Sequence, residues 1–363
     1  MAKTKNKFSY FITLIILVFA AAAIVTLVLM PKGPQTAPPQ NIEPSTQDGI
    51  LMDTYMKQTT YDTSEDVGDK LRQMFEYLSA FEAKTSAYRQ NSEISKINDY
   101  SGVMAIEVSD EVYRMLARSK ELCLQSNGRF DITVGPLVKL WDINGDSPGV
   151  PEESQINIMK KRVNIKKLTL DSKKKTAKLD NPYMSLDLGG VAKGFACDLA
   201  REKYKEIGLS SCLLSLGGNI YSFGTKPDGT AFIIGLRDPL GEAEDIFGTV
   251  TAPDQVISTT GGYERYFEEN GIRYHHVLDP KTGYPAKTDL LSVTVIAKEG
   301  ILADYLSTNL FIGGKAEVLK NLSQENFDIV AIDTDKKIHL SEGIKRNFRL
   351  AEGSAYQLAN TEK

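Results

Sequence analysis

The spacing of hydrophobic and polar positions changes along the chain, and each change marks an element. Phe8 to Met30 is one run without a charged side chain. As a helix rising ~1.5 Å per residue it spans roughly 34 Å, enough to cross a bilayer core. Pro31 to Asp48 holds five of the fourteen prolines and no apolar period, so it reads as a semi-stiff linker. Folded sequence begins near Ile50, with Leu51-Met52-Asp53-Thr54-Tyr55 as a first strand. Ser64, followed by Glu65 and Asp66, predicts the cap of a helix whose apolar face is Val67, Leu71, Met74, Phe75 and Leu78. Thr85 to Asn98 reads as a loop and a short helix. Ser109 predicts the cap of a further helix that turns Val112, Met115, Leu116, Leu122 and Cys123 inward and stops at Asn127-Gly128.

Leu168 to Asp180 reads as a hairpin turning on Asp171-Ser172. Tyr183 to Leu186 is strand-like and leads into Asp187-Leu188-Gly189-Gly190-Val191-Ala192-Lys193-Gly194. A helical pattern follows, with Val191, Phe195 and Leu199 four apart and Ala192, Ala196 and Ala200 beside them. The strand Cys212 to Leu216 ends at a second glycine pair, Gly217-Gly218-Asn219. Short strands are expected over Ala231–Leu236, Ile246–Thr251, Val256–Thr259, Glu264–Phe267 and Arg273–Leu278. A strand (Leu291–Ala297), helices over Ile301–Phe311 and Ala316–Asn321, and a hairpin from Ile329 to Leu340 close the chain. Strands outnumber helices and follow one another, which predicts an α+β fold with a mixed, largely antiparallel sheet rather than a doubly wound one. The chain divides into a tail (1–7), a membrane anchor (8–30), a linker (31–48) and one folded domain (49–363).

Charge sets the orientation. Lys3, Lys5 and Lys7 precede the apolar run and no acid does, so the tail is expected in the cytoplasm and the domain outside it. Ala20 to Ala23 offers small-residue cleavage sites, but the run continues past a usual signal core, which favours an uncleaved anchor. No cysteine follows to carry a lipid. With those three lysines set aside, 40 basic residues face 47 acidic ones, a net charge near −7 that argues against a nucleic-acid binder. Lys160 to Lys178 departs from this with nine basic residues, read as a solvated helix end and hairpin. Cys123, Cys197 and Cys212 are odd in number and widely spaced, so they read as buried small residues rather than a disulfide or zinc set.

Three segments carry candidate chemistry. Two glycines at a strand-to-helix corner either turn the chain or let its backbone cradle an anion, with Asp187 ahead of the corner and Lys193 inside it. Asp304, Ser307 and Thr308 share one helical face and offer only oxygen, which suits Mg²⁺ before Zn²⁺, or simply a helix start with local hydrogen bonds. His275 and His276 precede the tight turn Asp279-Pro280-Lys281-Thr282-Gly283. As strand neighbours they point to opposite faces, so only one can serve a given site. Ser258 to Phe267, an aromatic strand behind a glycine turn, reads as sheet packing or a pocket wall. His339 lacks such neighbours.

Taken together, Ser86–Asn98, Gly128–Gly135, Asp187–Gly194, Ser215–Asn219, Ser258–Phe267, His276–Pro285 and Ala303–Thr308 resemble, in order, the blocks of the FAD:protein FMN transferases, the ApbE-type flavin transferases. The resemblance covers roughly Ile50 to Asp335. It implies an enzyme that binds FAD with Mg²⁺, cleaves the pyrophosphate and moves FMN onto a Thr or Ser hydroxyl of an exported acceptor flavoprotein, releasing AMP. By position it implies that Met52, Tyr88, Arg129, Phe130, Asp131, Asp187, Lys193 and Leu278 contact FAD. The backbone of Gly190, with Asp304 and Thr308, is implied to hold the metal, Ser307 being a lesser candidate, and His276 is the implied base. Two other readings stay open: Mg²⁺-dependent hydrolysis of FAD to FMN and AMP, and a non-catalytic extracytoplasmic FAD carrier. AMP release separates the carrier from both enzymes, and a covalently flavinylated acceptor separates transferase from hydrolase. No acceptor-like Thr motif lies within the chain, so self-modification is not expected.

Overall fold

A computed structural model describes residues 43–359. The expected tail (1–7) and anchor (8–30) lie outside these residues. Among the described residues no helix is long and apolar enough to cross a membrane. The chain runs β1 (Ser45–Leu51), β2 (Thr54–Thr60), α1 (Val67–Thr85), α2 (Glu93–Asp99), β3 (Ile106–Glu107), α3 (Asp110–Gln125), α4 (Gly135–Trp141) and α5 (Glu153–Lys160). Then come β4 (Leu168–Asp171), β5 (Thr176–Leu179), α6 (Ala192–Glu206), β6 (Cys212–Leu216), β7 (Asn219–Phe223), β8 (Ile233–Arg237), β9 (Ile246–Thr251) and β10 (Val256–Gly261). The remainder is β11 (Tyr266–Glu269), β12 (Ile272–His275), β13 (Leu290–Ala297), α7 (Gly300–Asn321), β14 (Phe327–Asp333), β15 (Lys337–Leu340), β16 (Phe348–Leu350) and β17 (Gln357–Leu358).

Nine strands form the main sheet in the order β1-β2-β6-β7-β10-β13-β14-β15-β17, antiparallel except at β15–β17. Two three-stranded sheets, β3-β5-β4 and β16-β9-β8, and the hairpin β11–β12 complete the α+β fold. β13 is buried on both faces because it separates two cores. Val293 and Val295 face the large core, which α1, α3, α6 and α7 close, while Ile296 joins a second core beneath β8, β9 and β16. A third, smaller cluster surrounds Trp141, whose indole N–H donates to the Gly283 carbonyl at 2.8 Å. All three cysteines are free and buried, as expected.

Several boundaries differ from the sequence pattern. The linker reading of 31–48 runs four residues too far, since Ser45 to Asp48 already belong to β1. The first strand expected over Leu51–Tyr55 is instead the turn of a hairpin. Met52 and Asp53 take φ of 54° and 55° between β1 and β2, the mirror-image turn that matches strand twist. Ser64 does not cap α1. Asp66 stands at the cap position without a side-chain bond to the helix amides, and Asp66 and Ser64 both receive the Lys70 ammonium, at 3.1 and 3.2 Å. Tyr183–Leu186 makes one bridge, Ser185 to Val134, and no strand. The two helices expected over Ile301–Asn321 meet at Gly314, where φ of 73° breaks the spiral.

α6 and α7 touch without intervening side chains. A Cβ on Gly194 would run into the Gly300 carbonyl and into Asp304. Asp198 on α6 accepts the Gly300 and Ile301 N–H groups at 2.7 and 2.9 Å, satisfying the orphan amides at the start of α7. This crossing is what brings the glycine corner and Asp304 together.

Candidate active site

Asp304 is the centre of a buried polar cluster. It is 5 % exposed, and its Oδ2 accepts the Gly194 N–H at 2.9 Å. Its Oδ1 accepts Asn219 Nδ2 at 3.2 Å and the Ser258 hydroxyl at 3.3 Å. The strand period supplies the rest. Ser258 and Thr260 on β10 point the same way, and Thr260 Oγ1 lies 2.8 Å from Ser307 Oγ and 3.2 Å from Thr308 Oγ1. Burial pushes the Asp304 carboxyl above the ordinary carboxylate range, opposed by nearby Lys193 and by these donors. No ion pair to Asp304 exists among the described residues, so its charge lacks a contacting cation.

The donors fit a hard cation. One carboxylate with neighbouring hydroxyls is an oxygen-only donor set, the chemistry a cation such as Mg²⁺ takes when water and phosphate complete its shell. Asn219, 2 % exposed, has a buried Oδ1 with no partner beside that carboxylate. A buried acceptor left so is costly unless something fills it. Gly190 is on the same wall: a Cβ there would be 3.5 Å from Thr308 Oγ1 and 2.7 Å from the Phe130 ring, so a side chain would close the approach. Ser307 is 0 % exposed and donates to the Asp304 carbonyl at 2.9 Å, which makes it a brace for the helix more than a free ligand.

The glycine corner leads into α6 but follows the single Ser185–Val134 bridge in place of the expected strand. Asp187 accepts the Gly189 N–H at 3.0 Å, with Tyr88 and Lys193 beside it. The charge of Lys193 favours the ionised forms of Asp304 and Asp187 and opposes protonation of His276. Phe130 packs edge-on against Tyr305 at 5.1 Å. Its neighbours are engaged elsewhere. Both Asp131 oxygens hold the loop, taking the Thr133 N–H and hydroxyl (2.8 and 2.7 Å) and the Ile165 N–H (2.9 Å). Arg129 pairs with Glu317 at 2.7 Å on α7. Leu278 is buried in the Trp141 cluster. Met52 stands at the β1–β2 turn, its N–H on Glu82 at 3.1 Å, and the next carbonyl, that of Asp53, accepts Arg265 at 3.0 Å.

The two histidines separate by their hydrogen bonds. His275 donates from Nε2 to the Ala286 carbonyl at 3.1 Å and accepts the Val277 N–H at Nδ1 (3.3 Å), so both nitrogens are occupied. His276 places Nδ1 3.2 Å from the Arg265 carbonyl, which also takes its N–H at 3.1 Å. A carbonyl only accepts, so Nδ1 carries the hydrogen and Nε2 keeps a lone pair. Burial lowers the His276 pKa to about 4. The ring is therefore neutral near pH 7 and open to a proton. Because the folded value lies below the usual ~6.5, the unfolded state takes the proton first. The stability tied to the neutral ring is lost as pH falls from about 6.5 through 4. Proton NMR across pH should show this ring, one of only three imidazoles, titrating near 4; a midpoint near 6.5 would refute its desolvation.

Asn219, Ser258 and Thr260 were not singled out by the sequence as site residues. The signals were an asparagine directly after the second glycine pair and hydroxyls two apart on a strand.

The profile of a family described as the ApbE family matches residues 52–332. An FAD:protein FMN transferase of Klebsiella pneumoniae is 32 % identical over 286 residues, covering 78 % of this chain and 88 % of that protein. One from Treponema pallidum is 32 % identical over 296 residues, with coverage of 78 % and 82 %. The crystal structure of the ApbE protein of Thermotoga maritima superposes with a TM-score of 0.77 at 29 % identity, covering 83 % of this chain and 98 % of its own. The flavin transferase ApbE of Vibrio cholerae gives 0.75 at 26 %, with coverage of 84 % and 99 %.

Proposed function

Since the chain belongs to the ApbE family, we propose that it is an Mg²⁺-dependent FAD:protein FMN transferase acting on an exported acceptor. The observation that carries this reading is the buried carboxylate of Asp304, bonded to the amide of Gly194 just past the glycine corner and ringed by hydroxyls. The Gly190 backbone, Asp304 and Thr308 would hold Mg²⁺. Bound there, the ion would supply charge neutralisation for a diphosphate, the main requirement of phosphoryl-type transfer.

The protein's own groups do the rest. The Val191 and Ala192 N–H groups at the start of α6 are taken by the Leu188 carbonyl and that of Gly194 by Asp304, so the side chain of Lys193, rather than a row of free amides, offsets the charge of the diphosphate. His276 Nε2 removes the proton from the acceptor Thr or Ser hydroxyl. That oxygen forms the new bond to the FMN phosphorus as the anhydride bond breaks, and AMP leaves with the electron pair. The Arg265 carbonyl fixes the tautomer that makes this direction of proton flow available. The apolar run at 8–30 and its flanking lysines support placing the domain on the outer side of a membrane.

The test is to mix the full-length chain with FAD, Mg²⁺ and an exported flavoprotein domain, following AMP release and in-gel flavin fluorescence. Both signals are expected and both should vanish with EDTA. AMP without a fluorescent acceptor would favour FAD hydrolysis, and neither signal would leave a carrier.

A further inference from the structure

α6 and α7 cap each other. They run antiparallel where they cross, since Gly194 of α6 meets Asp304 of α7 while Asp198, one turn on, meets Gly300. Gly194 is in the first turn of α6, where N–H groups have no acceptor within the helix. The Asp304 carboxylate takes that N–H at 2.9 Å. Asp198 does the same for α7: its Oδ1 takes the Gly300 N–H at 2.7 Å and its Oδ2 the Ile301 N–H at 2.9 Å. These are the first two residues of that helix.

Between the two caps the backbones are bare. A Cβ on Gly194 would run into the Gly300 carbonyl, and a Cβ on Gly300 into that of Gly194. Packed helices hold their register by interlocking side-chain ridges and grooves, and a glycine-on-glycine contact supplies none. Register at this point falls to the polar ties. Asp198 is the firmer one, because both of its oxygens are committed to α7. Arg201, on the same helix, braces it at 3.2 Å and also donates to the Lys298 carbonyl just ahead of α7. The Asp198 side chain is 13 % exposed.

The clamp acts one turn from the oxygen cluster. Asp198 stands about 6 Å along α6 from Gly194, as Gly300 does along α7 from Asp304. A slip of one helix on the other would carry Asp304 off the Gly194 N–H and turn its Oδ1 from Asn219 and Ser258. Mg²⁺ tolerates such a change badly, because it demands near-ideal octahedral geometry. We propose that Asp198 is a positioning residue for the reaction: it fixes the register of α7 on α6 and so holds the Asp304 carboxylate where a divalent cation takes it. This rests on the reading of Asp304 as a metal ligand.

The test uses Asp198→Asn in the full-length chain, which keeps the shape but takes one acceptor oxygen from the start of α7. Arg118→Ala is the control, since its ion pair to Glu299 at 2.7 Å ties the same helix end to α3 rather than to α6. In Asp198→Asn the Kd for Mn²⁺, read by electron paramagnetic resonance, should rise about tenfold, the scale of an outer-shell partner of a metal ligand. In the metal-free protein its Gly194 amide should exchange faster while the amides of β13 stay protected. The Mg²⁺ needed for half-maximal transfer should rise by the same factor, with kcat recovered at saturating Mg²⁺. Arg118→Ala should leave the Mn²⁺ Kd unchanged, whatever it does to the melting point. An unaltered Mn²⁺ Kd in folded Asp198→Asn overturns the clamp and leaves the metal reading intact. A raised Kd with Gly194 exchange unchanged assigns the effect to charge alone and overturns it too, as does an equal loss in Arg118→Ala. No Mn²⁺ binding by the wild type removes both readings. If Asp198→Asn fails to fold, Asp198→Glu decides: it keeps the charge but lengthens the arm that sets the register, and the same rise in Kd is expected.

Discussion

Asp304→Asn should reduce FMN transfer by roughly 10³-fold while leaving the metal-free protein folded. The catalytic half follows from charge. The carboxylate is the only acidic group in the oxygen cluster, and the loss of a cation at a diphosphate forfeits several kcal/mol of transition-state stabilisation. The stability half follows from burial, which raises the Asp304 pKa. A carboxyl with a folded pKa above its unfolded value helps most when protonated, and that help is lost as pH rises through the folded value. Burial therefore weighs against the charged form in the folded protein, and a neutral amide relieves that cost. Asn219 can turn its orphan Oδ1 toward the new NH₂, so the cluster stays hydrogen-bonded. Calorimetry without metal should give a melting point equal to or above wild type, and Mn²⁺ binding followed by electron paramagnetic resonance should be lost. A collapsed melting point with metal binding intact would show that Asp304 is structural.

His276→Ala should lower transfer by roughly 10² to 10⁴, the usual contribution of a positioned base, with FAD affinity preserved. The ring bonds only its own loop, through Arg265, and is half-buried. Its removal therefore leaves the glycine corner and Asp304 cluster in place. The control is His275→Ala. That ring is held at both nitrogens and lies edge-on to Phe311 at 5.6 Å, so its loss should reduce stability more than it slows transfer. Single-turnover fluorescence of the acceptor, with FAD titration alongside, separates the cases. Normal transfer by His276→Ala would remove it as the base.

The corner Asp187–Gly194, the oxygen-only face of Asp304 and Thr308 and the His275-His276 pair were each legible as local pattern. So was most of the strand order in sequence, because the apolar periods are strong. Arg129 and Asp131 were legible as part of a matching block, yet their side chains are engaged by Glu317 and by Thr133 and Ile165. A residue's place in a motif does not reveal its hydrogen-bond partners, since those come from chain far away. The missed hairpin at Met52-Asp53 has a similar origin. Met52 is an unusual left-handed residue although Asp53 is not, and the turn is held by Glu82 and Arg265, from 30 to 212 positions away.

By itself the sequence determined the α+β class, the glycine corner and the inventory of oxygen and imidazole groups, because these depend on period and residue type. Tertiary structure alone decided that Asn219, Ser258 and Thr260 join Asp304 and that His276 rather than His275 keeps a free nitrogen. Each of those outcomes depends on which groups, distant in sequence, the fold sets against one another. For Asp304 the pairing with Gly194 is fixed only when α6 crosses α7.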